Sequence, residues 1–207
     1  MATCLHELEN MRRIKDIKKL ARTIPQRFAS IPVTTREEPL KVALIGEASV
    51  LRDKYLNHNV EDLLGRLGVV MHNFFLLGAE LKKIFKMDFG NKHNLKNQKK
   101  LAYPYLKSVV GGHAIDSIAN TIRCATDGYD GVIHMCPSGC MPEISIRPIL
   151  RQVSRDYNIP VLEFSFDEHT SHVGIITRVE AFVDILRSNR GRKKKELNVF
   201  KIDKTVE

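Results

Sequence analysis

A chain of 207 residues, 43% of them hydrophobic, has room for one large domain or two small ones and enough apolar side chain for a sizeable core. Its formal charge of +9 sits mainly in Arg12 to Lys19, Lys92 to Lys100 and Arg187 to Lys195, without interleaved aromatic residues, which fits solvated helix faces and disfavours a nucleic-acid groove. No apolar run approaches the roughly 20 residues of a membrane span, and Met1 to His6 has no secretory core, so a cytoplasmic chain is expected, its four cysteines being thiols, metal ligands or redox groups rather than disulfides.

Leu5, Leu8, Met11, Ile14, Ile17 and Leu20 recur at three-residue spacing and predict an amphipathic helix over 5–22. Pro25, Pro32 and Pro39 then mark an extended linker, so residues 1–38 read as a helix and linker ahead of the main domain. Leu40 to Gly46 is a short apolar run ending in glycine, as buried parallel strands do. A helix over 60–67 stops at Gly68, and a second strand follows over 69–75. Helices are predicted at 77–85, 99–109 and 113–126, the last closed by Gly128. A third strand covers Gly131 to Cys136, a helix 144–157, a fourth strand 160–164 and a final helix 175–188. This alternation predicts an α/β domain over 39–190 with a doubly wound, mainly parallel sheet of the flavodoxin or Rossmann kind. Residues 191–207 read as a basic polar tail, frayed or docked as an edge strand through Leu197 to Ile202.

Ligands of open α/β sheets sit beyond the carboxyl ends of the strands. That edge collects Gly46-Glu47, Gly111-Gly112-His113, Cys136 to Glu143, and Asp167-Glu168-His169-Thr170. Cys136 and Cys140 share a loop with two prolines and a glycine, which can aim sulfurs at one point, as an iron–sulfur site needs. Buried free thiols and a redox pair suit the same spacing. Cys124 falls within a helix and reads as core. Glu168 and His169 offer a metal ligand or an acid–base pair, or else belong to a strand-end loop whose polar groups cap the following helix. Gly111-Gly112-His113 opens a helix, where an anion or a simple tight turn fits equally. Neither a Walker loop nor a dinucleotide fingerprint follows the first strand.

Several segments carry a joint resemblance: Leu40 to Glu47, Gly111-Gly112-His113, Gly128 to His134, Gly139 to Ile144, Ser154 to Leu162, Asp167 to Thr170 and Thr177 to Asp184. In this order and spacing, from about Pro39 to Arg187, they resemble the CoA protein activases related to 2-hydroxyacyl-CoA dehydratases, in their cysteine-bearing C-terminal region. The resemblance implies a cluster-holding or electron-relay component of a dehydratase or activase system, with a [4Fe-4S] or related cluster. It carries a ligand role onto Cys140. Cys136 stands where the family need not have cysteine, so its part as a second ligand is not inherited. Glu47, His113, Glu143, Glu168 and His169 are then expected to line the cleft, around the cluster or against substrate.

The chain has Pro137-Ser138-Gly139 where the family usually places an aromatic residue, and it lacks the further cysteine motifs and the ATP-hydrolysing activase of longer relatives. It is therefore expected not to hydrolyse ATP by itself, and to share any cluster within a homo-oligomer or with a partner subunit. A metal-free interaction subunit and a CoA- or nucleotide-binding protein remain open alternatives.

Overall fold

The computed structural model describes residues 2–32, 38–75 and 95–203. The chain divides into two compact units, Met1–Glu38 and Pro39–Glu207. In the first, helix α1 spans Ala2–Glu9 and α2 spans Ile14–Ala29. The single helix expected over 5–22 is thus two. Asn10 interrupts it: its side chain donates to the His6 carbonyl at 2.9 Å, taking a C-terminal acceptor and competing with helix continuation. Glu7 and Arg27 tie α1 to α2 through contacts of 2.8 and 2.9 Å. Pro25 lies inside α2, not in a linker.

Among the described residues, the second unit holds four parallel strands: β1 Leu40–Gly46, β2 Val69–Asn73, β3 Gly131–Pro137 and β4 Val161–Phe166, in the order β2-β1-β3-β4. The helices are α3 Ala48–Arg52, α4 Val60–Arg66, α5 Leu95–Ala102, α6 Ala114–Thr126, α7 Met141–Ser145, α8 Arg147–Asp156 and α9 His172–Asp203. The expected α/β fold is present, with helices on both faces of an all-parallel sheet.

Period-2 alternation sorts the core. Val42, Leu44, Ile133, Met135 and Phe164 face α4 and α9, where they meet Leu64, Val179 and Val183. Ala43, Ile45 and Val132 face α6 and α8, where they meet Ile118, Ala119, Leu150 and Val153. Both faces are covered by helices, as the near-continuous apolar strands require.

Two helix boundaries differ from expectation because of proline, and the last helix runs on past its expected end. The helix expected over 99–109 is α5, ending at Ala102, since Pro104 disfavours helical backbone at Tyr103. The helix expected over 144–157 is two, α7 and α8: Pro148 has no amide hydrogen for the Ile144 carbonyl and occupies the start of α8. The tail expected to fray or pair as a strand continues α9 to Asp203. The helix expected over 77–85 lies outside the described residues.

Asp130, just before β3, joins distant parts of this unit. Its carboxylate accepts from the Lys41 amide at 2.8 Å and from Arg190 Nε at 2.9 Å, with a closer contact to Arg190 Nη2. Asp130→Ala is expected to cost about 2 kcal/mol, since it removes the carboxylate shared by the Lys41 amide and the Arg190 guanidinium, leaving Arg190 on the Pro39 carbonyl at 3.2 Å. Urea unfolding checks this, and an unchanged midpoint refutes it.

Candidate functional site

The strand order reverses between β1 and β3, so the crevice beyond their carboxyl ends is the switch point of the sheet. Gly46 and Glu47 leave β1 there. The Glu47 amide donates to the Met135 carbonyl at 2.9 Å, holding the β1 exit against β3. Glu47 is the N-cap of α3: its carboxylate accepts from the amides of Ser49 at 2.9 Å and Val50 at 3.2 Å, and from the Ser49 hydroxyl. Burial pushes its pKa up, but these hydrogen bonds and the nearby His113 outweigh that and hold it below the ordinary range. Glu47 is therefore ionised at neutral pH.

His113 arrives on the turn before α6. Gly111 and Gly112 have φ of +97° and +51°, which suit glycine, and a Cβ on Gly112 would lie 3.3 Å from Pro142. The Gly-Gly turn thus packs directly on α7. His113 Nδ1 lies 3.8 Å from Asp116 Oδ2, and its ring meets Phe75 edge-on at 5.3 Å.

Cys140 is the N-cap of α7 and is half-buried. Burial raises its thiol pKa; the Glu143 amide eases this, while the carboxylates of Glu143 and Glu47 add to it. Cys136, on β3, is fully buried. Burial raises its pKa too, partly countered by Arg147, whose Nη2 lies 3.4 Å from the sulfur. Cys124 is core in α6, as expected, with a thiol pushed up to about 12 by burial.

Glu143 lies beneath the cysteine loop with no exposed surface. Its Oε2 is 2.8 Å from His134 Nε2 and accepts from the Ser117 hydroxyl at 3.0 Å. Glu143 Oε1 and His134 Nδ1 have no hydrogen-bond partner among the described residues. His134 and Ser117 were missed by sequence reasoning. The available signal was a histidine sharing the parity of Val132 within an apolar strand, and so directed into a core.

Cys136, Cys140, Glu47, His113 and Glu143 therefore come together, while Glu168 and His169 do not join them. Their side chains are 82% and 88% exposed and lie 3.7 Å from each other. Asp167 and Thr170 organise that loop: Asp167 Oδ1 accepts from the His169 amide and the Thr170 hydroxyl, at 3.0 and 2.9 Å. Glu168 borders a separate groove of about 620 Å³ with Tyr55, His58, Pro137, Phe166 and His172. Beside Ser117, a cavity of about 20 Å³ is bounded by Ile45, Phe74, His113 and Asp116, room for about one water. Among the described residues, no group of three or more His, Cys, Asp or Glu is placed to hold a metal ion, and no helix is long and apolar enough to cross a membrane.

A family model described as 2-hydroxyglutaryl-CoA dehydratase, D-component, matches residues 12–186. No curated protein matches the chain.

Proposed function

Since the chain belongs to the 2-hydroxyglutaryl-CoA dehydratase D-component family, we propose that it is one component of a 2-hydroxyacyl-CoA dehydratase system and contributes the Cys140 thiolate to an iron–sulfur cluster, [4Fe-4S] or related. The motifs between Pro39 and Arg187 favour the activase-related branch of that system. The observation that carries the reading is the setting of Cys140: a half-buried thiol at the switch point, beside Glu47, Glu143 and Cys136.

The donor set fits a share in a cluster rather than a complete cage. Cys140 is accessible enough to ligate, and a loop between Pro137 and Pro142 restricts its backbone. Cys136 is a second donor only after its sulfur leaves Arg147. Among the described residues no third donor stands beside these two, so the remaining ligands are expected from a second copy or a partner subunit. When bound, such a cluster supplies one-electron chemistry to the CoA ester. This chain's own part is to place the thiolate and to present ionised Glu47 at the mouth, which favours positive charge beside the sulfur.

Anaerobic iron and sulfide analysis of the wild type, Cys140→Ser and Cys124→Ser, each reconstituted with its partner, tests this. Iron is expected to fall to background in Cys140→Ser and to persist in Cys124→Ser, whose thiol is enclosed in α6. If the wild type never holds iron, or Cys140→Ser holds as much as the wild type, the cluster reading gives way to a metal-free interaction subunit.

A further inference from the structure

We propose that His134 and Ser117 are positioning residues for Cys140: they hold the Glu143 carboxylate, and through it the first turn of α7, so that the Cys140 sulfur keeps one place at the carboxyl end of β3. The purpose of this clamp rests on the reading of Cys140 as a cluster ligand; the clamp itself rests on geometry.

Helix α7 has five residues, with Cys140 at its N-cap and Glu143 three residues on. A single turn is too short to hold its own orientation, because nucleating a helix costs more than its first hydrogen bonds return. Something outside α7 must aim it. Glu143 reaches down from this turn into the core, and its Oε2 is anchored from two elements, by His134 of β3 at 2.8 Å and Ser117 of α6 at 3.0 Å. The Gly112 turn packs against Pro142 of the same helix. The turn carrying Cys140 is thus gripped by carboxylate and by proline.

The anchors are costly. His134 and Glu143 have no exposed surface, Ser117 has 1%, and one polar atom on each of the first two lacks a partner among the described residues. An apolar pair of similar volume commonly serves stability as well as a buried ionic pair does. What hydrogen bonds add is direction: they set the angle of a side chain where apolar contact sets only its distance. Nucleophilic catalysis does not account for the trio. Ser117 contacts the carboxylate and not the imidazole, and all three are closed to solvent.

The discriminating variant is His134→Leu/Glu143→Met, which replaces the polar pair by apolar side chains. The readout is the rate of iodoacetamide labelling of Cys140 in the metal-free full chain, followed by peptide mass mapping, with buried Cys124 and Cys136 as internal controls. Melting temperature is expected to stay near that of the wild type, while Cys140 labels about tenfold faster as the turn loosens. Glu143→Gln keeps an oxygen for both anchors and is expected to label within about twofold of the wild type. A folded double variant that labels Cys140 at the wild-type rate overturns the proposal. If the double variant does not fold, Ser117→Ala decides: removal of one anchor should speed Cys140 labelling about threefold, and an unchanged rate overturns the proposal. Iron retention by the reconstituted wild type is scored separately. Its failure removes the cluster reading and leaves the labelling result to judge the clamp.

Discussion

Gly46→Ala is expected to lower the melting temperature by about 10 °C or more, or to leave the chain insoluble. Gly46 closes β1 at the switch point, with φ of +128°, and a Cβ there would lie 1.9 Å from the Met135 carbonyl oxygen. That oxygen belongs to the neighbouring central strand and accepts the Glu47 amide, so it cannot retreat without opening the β1–β3 pairing. Backbone strain and steric overlap together cost more than about 4 kcal/mol, a large part of the stability of an ordinary domain. Gly65→Ala is the control. No atom lies within 4 Å of its added Cβ, and it sits in helix α4, where alanine is the better helix former. Thermal melts of the two variants beside the wild type check the prediction; a Gly46→Ala protein melting with the wild type refutes it. Loss of this glycine should also damage the site, since Glu47 and the start of α3 depend on the same exit from β1.

His134→Leu alone is expected to destabilise the protein by about 3 kcal/mol, because it leaves the Glu143 carboxyl buried with only the Ser117 hydroxyl. Glu143→Met alone should cost about 2 kcal/mol, from a buried imidazole stripped of its partner. The double replacement is expected to cost no more than about 1 kcal/mol, well below the sum of the two, since it removes both halves of the interaction and leaves neither group buried without its partner. Urea unfolding midpoints of the four proteins complete the cycle. Strictly additive losses would show that the 2.8 Å contact between Nε2 and Oε2 contributes no coupling.

Much of the framework was legible in local pattern. The runs Leu40 to Gly46 and Gly131 to Cys136 read as buried strands because both sides of each strand meet apolar helices, which removes polar alternation. The switch-point rule then collected Glu47, His113, Cys136 and Cys140 on one edge, where the structure places them. Two helix ends were also legible, in Pro104 and Pro148, but apolar periodicity carried the reading past them. The interruption at Asn10 was harder to read, since asparagine occurs both within helices and at their ends, and its contact with the His6 carbonyl decides the case.

By itself, the sequence determined the parallel sheet and the edge that bears the chemistry, because apolar strand runs alternating with helical periodicity are patterns of a few residues, and the strand-end rule follows from that alternation. Only the tertiary structure decided which of those edge residues meet. Glu168 and His169 belong to the same edge yet stand in solvent, while Glu143 turns inward to His134 and Ser117. That outcome depends on where α6 lies across the sheet and on how α7 folds back over β3. Those placements are set by long-range packing of Ile118, Ala119, Leu150 and Val153 against β1 and β3, and no window of neighbouring residues contains them.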